Sequence, residues 1–238
     1  MNLILFESTE LAAPLPRRDP RAVHILDVLR RGVGDTFDAG LVNGPRGKAT
    51  LVAVGAEALT LNFTWEASPP PPLDPITLIV GLPRPQTARD ILRDATALGV
   101  AALHFVATEK GEAGYAHSKL WFSGETRRLL LDGAQQAFDT RVPKLTHGRQ
   151  FLEVLAALPA GGSRVALDNY ESTQPLSSAA IASPVVLALG SERGWSARER
   201  DALRANGFVF AHLGSRILRV EAAAITALAI VRSQLGLM

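Results

Sequence analysis

The sequence predicts an α/β protein in which a mostly parallel sheet, covered by helices, follows a small module of short β-strands. Before the proline run Pro69–Pro72, short apolar segments are separated by turn residues, as in a β-meander. After it, apolar strands alternate with amphipathic helices as far as the C-terminus, which is typical of a parallel sheet with both faces covered. Four consecutive prolines favour an extended segment that no helix can cross. We therefore expect a first domain over residues 1–66, a linker over 67–75 and a second domain over 76–238.

The first domain is predicted to be a small β-barrel with one short helix. Leu3–Phe6 is an apolar run that stops at Glu7, and Asn43–Gly47 carries the asparagine, glycine and proline of a turn between later strands. Valine and leucine residues in the segment 22–31 recur with an imperfect helical period. The predicted strands are 3–6, 36–39, 48–54 and 58–63, and the predicted helix is 22–31.

The second domain opens with Ile76–Leu82, a mainly apolar segment typical of a buried parallel strand. The next segment carries apolar residues on one helical face and ends at Gly99. Ser196 and Glu199 form a capping box at the start of a later helix, and Gly207 ends that helix. The predicted strands are 76–82, 102–107, 164–167, 185–189 and 208–213, and the predicted helices are 87–98, 118–138, 149–158, 176–181, 196–205 and 220–234.

The composition excludes several kinds of chemistry. The 238 residues include no cysteine, which excludes disulfides, a thiolate nucleophile, iron–sulfur clusters and cysteine-ligated zinc. The five histidines lie far apart without metal-ligand spacing, so no metal is expected, and the dinucleotide, P-loop and zinc-hydrolase motifs are absent. The N-terminus has no basic region, and no segment reaches about 20 uninterrupted apolar residues. We therefore expect a cytoplasmic protein that does not bind a membrane.

Basic residues are concentrated near the N-terminus, although the net charge of the chain is only +2. Between Pro14 and Gly34 lie five arginines and two aspartates. Such a cluster is typical either of a solvated surface or of a surface that contacts the phosphates of a nucleic acid. The five arginines are Arg17, Arg18, Arg21, Arg30 and Arg31.

Three strand-to-loop junctions of the second domain are candidates for a ligand site, because ligands of parallel sheets bind beyond the carboxyl ends of the strands. In the first, two glycines flank Glu192 ahead of a helix N-cap, although an ordinary turn also needs glycine. In the second, Arg219 lies between apolar residues and Glu221 occupies the first turn of a helix, where an acid also favours the helix dipole. In the third, Asp168 could cap the turn or bind a ligand. The three junctions are 187–196, 212–221 and 166–170.

Motifs at these junctions and near the start of the chain resemble those of a known family. Leu189–Glu199 resembles the family pattern (I/V)GPEGG(F/L)SxxE, and Leu213–Ala223 resembles LGxR(I/V)LR(T/A)ETA. His24–Asp35 resembles H(I/L)xxVLRxxxGD, and Ala97–Val100 resembles the helix end ELGV. This ordered set spans nearly the whole chain and resembles the RsmE family of 16S ribosomal RNA methyltransferases, in the SPOUT superfamily.

The resemblance implies a fold and a reaction. The second domain would be a SPOUT-type α/β fold, with a parallel sheet and a C-terminal trefoil knot. The first domain would be a PUA/OB-like β-barrel that binds RNA. The protein would be a homodimer that transfers a methyl group from S-adenosylmethionine to N3 of a uridine in the 16S ribosomal RNA of the small subunit, without a metal.

The resemblance also implies which residues act, carried over position by position. Arg219 would stabilise the uracil anion or a phosphate. Glu221 would orient Arg219 or serve as a base, and orientation is favoured because an ordinary glutamate is too weak a base for easy proton removal. The expected cofactor-binding residues are Leu167, Asp168, Asn169, Leu189, Gly190, Ser191, Glu192, Gly194, Leu213, Gly214, Ile217 and Leu218. The expected RNA-binding residues are Arg17, Arg18, Arg21, Arg30, Arg31, Arg46, Lys48 and Arg84.

The chain departs from the family pattern at several positions. Ser191 stands in place of proline, Arg193 in place of glycine and Ala222 in place of threonine. Two alternatives therefore stay open: a non-catalytic RNA-binding protein on the same fold, and a SPOUT methyltransferase with a different RNA target. A metabolic α/β enzyme is a third, but it would leave the basic N-terminal module unexplained. The absence of cysteine excludes RNA methyltransferases that attack the base with a thiolate, whereas direct transfer to a nitrogen needs no such nucleophile.

Overall fold

The computed structural model describes residues 3–238, and the predicted first domain therefore includes two residues, Met1 and Asn2, that lie outside the described part. The chain divides into two compact units. One comprises Met1–Pro72 and Ala134–Val142, and the other comprises Leu73–Gly133 and Pro143–Met238. Between residues 3 and 238, no helix is long and apolar enough to cross a membrane.

The first unit is a curled five-stranded sheet with one short helix. Its strands are β1 (Ile4–Phe6), β2 (Leu15–Pro16), β3 (Thr36–Leu41), β4 (Arg46–Val54) and β5 (Ala58–Trp65), and helix α1 is Pro20–Val23. The strand order is β1-β3-β4-β5-β2. Only the β1–β3 pair is parallel. The buried core lies between the sheet and the helical segment, with Phe6, Ile25, Phe37 and Leu51 among its members.

Two expectations for this unit differ from the structure. In residues 3–238 the strands β1 and β2 are the two edges of the sheet and do not pair, so the barrel is not closed by strand pairing. The predicted helix 22–31 starts earlier, at Pro20, where Asp19 caps it, and continues as a π-helical segment, His24–Val28. The helical conformation ends before Arg30, whose φ of 53° lies in the left-handed region.

Residues Ala134–Val142 join this unit through side-chain hydrogen bonds, although the sequence predicts them in the second domain. The Leu5 amide donates to Oε1 of Gln135 at 3.0 Å. Thr140 Oγ1 donates to the carbonyl oxygen of Gly44 at 2.6 Å, and the Val142 amide donates to Oδ1 of Asn43 at 3.0 Å. These partners are about 100 residues or more apart in sequence, which explains why a division at the prolines alone misses them.

The second unit is a six-stranded sheet with helices, and every strand pair in it is parallel. This confirms the predicted α/β class. The strands are β6 (Asp74–Gly81), β7 (Val100–Ala107), β8 (Lys144–Gln150), β9 (Ser163–Leu167), β10 (Val185–Leu189) and β11 (Val209–Ala211). The helices are α2 (Pro85–Ala97), α3 (Glu125–Gln136), α4 (Phe151–Ala156), α5 (Ala197–Ala205) and α6 (Val220–Gln234).

Two predicted helices of this unit differ from the structure, and one strand was not predicted. The helix predicted over 118–138 begins only at Glu125, because Gly124 has a φ of 76° and interrupts it after two short 3-10 turns. The strand β8 was not expected, since this edge strand is mainly polar and lacks an apolar run. The helix predicted over 176–181 is a single 3-10 turn, Leu176–Ser178.

The strand order β11-β9-β10-β6-β7-β8 decides where a ligand can bind. Because all six strands are parallel, their carboxyl ends share one edge of the sheet. The loops that follow β6, β9, β10 and β11 therefore converge there. On one face, helices α4 and α5 bury an apolar cluster around Ile79, Ala188 and Trp195. Helices α2 and α6 pack against each other, and α6 also contacts β10.

Candidate functional site

A cleft of about 590 Å³ lies at the carboxyl edge of the parallel sheet. Its walls come from the three strand-to-loop junctions that the sequence singles out, together with the start of helix α2. The lining residues are Arg84, Thr87, Leu167, Asp168, Asn169, Tyr170, Leu189, Gly190, Ser191, Glu192, Arg193, Gly194, Leu213, Arg216, Ile217, Leu218, Arg219, Val220, Glu221 and Ala223.

The loop after β10 is a tight backbone turn. The Gly194 amide donates to the carbonyl oxygen of Ser191 at 2.8 Å, and Gly194 has a φ of 67°. A Cβ atom at Gly190 would lie 2.8 Å from the carbonyl carbon of Gly194, so only glycine fits there. After the turn, Trp195 is buried and donates its indole N–H to the Leu167 carbonyl at 3.1 Å. The predicted capping box of Ser196 with Glu199 is confirmed and starts α5.

Two polar residues of this loop have different surroundings. Glu192 accepts a hydrogen bond from the Arg84 amide through Oε1 at 2.8 Å, which ties the loop to the start of α2. Ser191 is only 5% exposed, and its Oγ has no hydrogen-bond partner among residues 3–238. A buried hydroxyl without a partner is uncommon, because its desolvation is left uncompensated. The hydroxyl of Ser191 is therefore available to a ligand in the cleft.

Asp168, directly after β9, has a carboxylate that is already fully engaged. Oδ1 accepts from the amides of Tyr170 and Glu171 at 2.7 and 2.8 Å. Oδ2 accepts from Nε of Arg200 at 2.7 Å, and the Asp168 side chain is only 2% exposed. This arrangement holds the turn 168–171 in one conformation and anchors it to helix α5. The contacts favour a structural role for Asp168 over direct binding of a cofactor.

Tyr170 is a cleft residue at the end of the third predicted junction, 166–170, and it is not among the predicted site residues. The residue is 79% exposed, and the guanidinium carbon of Arg200 lies 5.5 Å from the centroid of its ring. The only signal in the sequence is an aromatic residue three positions after the end of β9. Such a residue in a loop is more often an isolated surface side chain, so the sequence alone could not distinguish it.

The loop between β11 and α6 presents exposed arginines to the cleft. Arg219 is the N-cap residue of α6, with extended backbone angles of −65° and 155°. The side chains of Arg216 and Arg219 form no ion pair with any described residue, and both residues are exposed. The expected contact between Glu221 and Arg219 is not formed in the described structure. Ile217 is 81% exposed and Leu218 is 38% exposed, so neither belongs to the core.

The structure brings the predicted site residues of the second unit together. All the expected cofactor-binding residues line the cleft except Gly214, whose amide donates to Nδ1 of His212 in the adjoining turn. Arg219, Glu221 and Arg84 also line it. The lining residues that the sequence does not predict as site residues are Thr87, Tyr170, Arg193, Arg216, Val220 and Ala223.

The expected RNA-binding residues of the first unit separate into two groups. Arg21 is held by Glu10 and Asp19 at 2.6 and 2.8 Å and donates to the Leu5 carbonyl. These hydrogen bonds raise the pKa of Arg21 and lower the pKa values of both carboxyl groups. These contacts favour a structural role for Arg21 within this unit, and its expected contact with RNA phosphates stays a prediction.

The remaining basic residues of the first unit differ in how free they are. Lys48 pairs with Asp38 at 2.7 Å, and Arg46 lies 3.8 Å from Glu66 and over the ring of Phe138. Arg17 donates to a backbone carbonyl at 3.2 Å. The exposed arginines whose side chains have no partner among the described residues are Arg18, Arg30 and Arg31.

Within residues 3–238, no group of three histidine, aspartate or glutamate side chains is placed to hold a metal ion. A parallel sheet with a glycine-lined cleft at its carboxyl edge is the arrangement in which α/β proteins bind small ligands. A family model described as an RNA methyltransferase domain matches residues 69–232, which gives the class of the protein.

The relatives make the class more specific. The chain is 36% identical to ribosomal RNA small subunit methyltransferase E of Treponema pallidum (strain Nichols), over 97% of this chain and 90% of that protein. It is 24% identical to ribosomal RNA small subunit methyltransferase E 1 of Borreliella burgdorferi, over 99% of each chain. The chain therefore belongs to the ribosomal RNA small subunit methyltransferase E family, as its motifs predict.

A solved structure shares the fold. The crystal structure of ribosomal RNA small subunit methyltransferase E from Neisseria gonorrhoeae, bound to S-adenosyl methionine, superposes with a TM-score of 0.77. The two chains are 23% identical, and the match covers 98% of this chain and 97% of that one.

Proposed function

We propose that this protein transfers a methyl group from S-adenosylmethionine to N3 of a uridine in the 16S ribosomal RNA of the small ribosomal subunit. The observation that carries the proposal is the single cleft into which three separate loops bring the motif residues of the family. Those loops follow β9, β10 and β11, which are neighbours at one edge of a parallel sheet. Membership of the family supports the ribosomal RNA substrate.

The residues of the cleft fit S-adenosylmethionine. A volume of about 590 Å³ lies within the usual range of small-molecule sites. Gly190 lets the backbone of its turn come close to a ligand, and Ser191 offers a buried hydroxyl without a protein partner. Leu189, Leu213 and Leu218 add apolar walls. When bound, the cofactor supplies an electrophilic methyl group, and the backbone of these loops would hold it in place.

Arg219 is the residue we assign to the charge that develops on the base. N3 of uracil carries a proton that has to pass to solvent, and the deprotonated imide carries negative charge on its oxygens until the methyl group bonds to N3. The guanidinium group of Arg219 lies in the cleft without an ion-pair partner among residues 3–238, and it can stabilise that charge by charge-assisted hydrogen bonds. Glu221, in the first turn of α6, lies where the positive end of the helix dipole stabilises a carboxylate.

The first unit is proposed to hold the RNA through its backbone. Arg18, Arg30 and Arg31 would contact phosphates, which raises affinity without reading sequence. The curled sheet supports a PUA/OB-like module. For the second unit, we propose a trefoil knot at the C-terminus, supported by the family and by the non-sequential order of β9, β10 and β11. We also propose a homodimer, and a location in the cytoplasm, where ribosomal RNA is found.

The test is methyl transfer to small ribosomal subunits from a strain that lacks this protein. Labelled S-adenosylmethionine supplies the methyl group, and mass analysis of the digested RNA identifies the nucleoside. The expected product is a uridine methylated at N3. Another methylated nucleoside would favour a different RNA target, and absence of S-adenosylmethionine binding in calorimetry would favour a non-catalytic RNA-binding protein.

A further inference from the structure

The ring of Tyr170 is an aromatic surface prepared at the mouth of the cleft. Tyr170 is 79% exposed, and its backbone amide is held by a hydrogen bond to Oδ1 of the buried Asp168. The guanidinium carbon of Arg200 lies over the ring, 5.5 Å from its centroid, and Arg200 is itself held by the buried carboxylate of Asp168 at 2.7 Å. Most of the surface of Tyr170 is nevertheless open to solvent. Tyr170 is therefore held by its contacts with Asp168 and Arg200, while most of its side chain stays accessible to a ligand.

The charges of the cleft show what kind of molecule reaches this ring. Arg84, Arg193, Arg216 and Arg219 line the cleft and are exposed, and none forms an ion pair with any described residue. The carboxylates that line the cleft are those of Asp168, Glu192 and Glu221, and Asp168 is neutralised by Arg200. An open aromatic ring among unpaired arginines is a surface that fits a nucleobase together with its phosphates.

We propose that Tyr170 stacks on an unpaired nucleobase of the RNA substrate and holds that base at the entrance of the cleft. This inference rests on the proposed function and adds a substrate-binding residue to it. A base in a duplex cannot enter such a cleft, so a target base has to be unstacked, and stacking on an aromatic side chain compensates for that loss. Tyr170 is exposed, whereas Ser191, which lines the same cleft, is buried. We therefore place Tyr170 at the entrance of the cleft, where the RNA would arrive, and Ser191 in its enclosed part.

The experiment compares Tyr170→Ala with two matched controls in the full-length protein. Tyr170→Phe keeps the ring and loses only the hydroxyl. Phe122→Ala removes another aromatic side chain that is 72% exposed but does not line the cleft. Methylation of small ribosomal subunits gives kcat and the KM for RNA, and calorimetry gives the Kd for S-adenosylmethionine. Thermal unfolding checks that each variant is folded.

The expected result is that Tyr170→Ala raises the KM for RNA about 5- to 150-fold, the effect of one lost base stack. The Kd of Tyr170→Ala for the cofactor should stay within about twofold of wild type. For Tyr170→Phe and Phe122→Ala, both the KM for RNA and the Kd for the cofactor should stay within about twofold of wild type. A loss of cofactor affinity equal to the loss for RNA would overturn the inference, because the ring would then stack on the cofactor. An unchanged KM would overturn it while leaving the methyltransferase intact. A wild-type protein without methylation would refute the proposed function, and the inference with it.

Discussion

The buried ion pair between Asp168 and Arg200 should be the main support of the loop that follows β9. The perturbation is Asp168→Ala. It removes three hydrogen bonds, two from backbone amides and one from Arg200 at 2.7 Å, and leaves a guanidinium group that is only 10% exposed without its partner. Breaking such a pair by removing one side typically costs about 3–5 kcal/mol, because a buried charge is left uncompensated.

The structure places the cost at the lower end of that range. Glu171 lies 3.7 Å from Arg200 and can take over part of the pairing. We therefore expect a loss of about 3 kcal/mol, which for a protein of this size lowers Tm by about 6–12 °C. Urea unfolding measures the loss of free energy, because it gives the midpoint and the slope of the transition separately. Thermal unfolding measures the change in Tm. The matched control is Asp201→Ala, since Asp201 is 76% exposed and pairs with Arg204 on the surface. That change should cost less than about 0.5 kcal/mol.

Two results would refute this reasoning. If the free energy of unfolding of Asp168→Ala lies within about 1 kcal/mol of the wild-type value, the pair contributes little to stability and the loop is held by other contacts. If stability is kept while affinity for S-adenosylmethionine is lost, Asp168 binds the cofactor directly, as the family resemblance implies, and the structural role is wrong. A loss of stability with cofactor binding restored at saturating concentration supports the role argued from the contacts.

Three further predictions follow from the geometry. Arg219→Ala should lower kcat about 100- to 1000-fold with little change in the Kd for the cofactor. If steady-state assays find that the variant keeps the wild-type kcat, Arg219 does not stabilise the charge on the base. The double change Arg30→Gln and Arg31→Gln should weaken RNA binding and reduce the slope of log affinity against log salt concentration by about 1.4. Filter binding between low and moderate salt measures this slope, and an unchanged slope would contradict the prediction. Because hydrogen bonds from Arg21 hold the pKa values of Glu10 and Asp19 below their ordinary 4.5 and 3.8, they stabilise the first unit at neutral pH, and this contribution is lost as the pH falls through the lowered values. Urea unfolding from pH 7 downward should therefore show a steeper acid loss in wild type than in Arg21→Gln, and equal slopes would show that the pair is not linked to stability.

Local patterns predicted most of the second unit correctly. The strand β10 and the helix α6 have the predicted bounds, since a continuous apolar run and a sustained helical period are strong local signals. The capping box of Ser196 and Glu199 is likewise a local arrangement of four residues. The edge strand β8 escaped prediction because its polar sequence gains its structure by pairing with β7, more than 40 positions earlier in the chain.

By itself, the sequence determined the α/β class, the parallel sheet, the family and the three junctions that form the cleft. Each depends on residue types at fixed spacing along the chain, which short-range physics and the motifs make visible. Only the tertiary structure decided which charges are free. Arg21 forms ion pairs with Glu10 and Asp19, and Arg200 pairs with Asp168, which lies 32 positions earlier in the chain. The exposure of Tyr170 in the cleft was decided in the same way, because burial and pairing depend on what distant segments bring alongside.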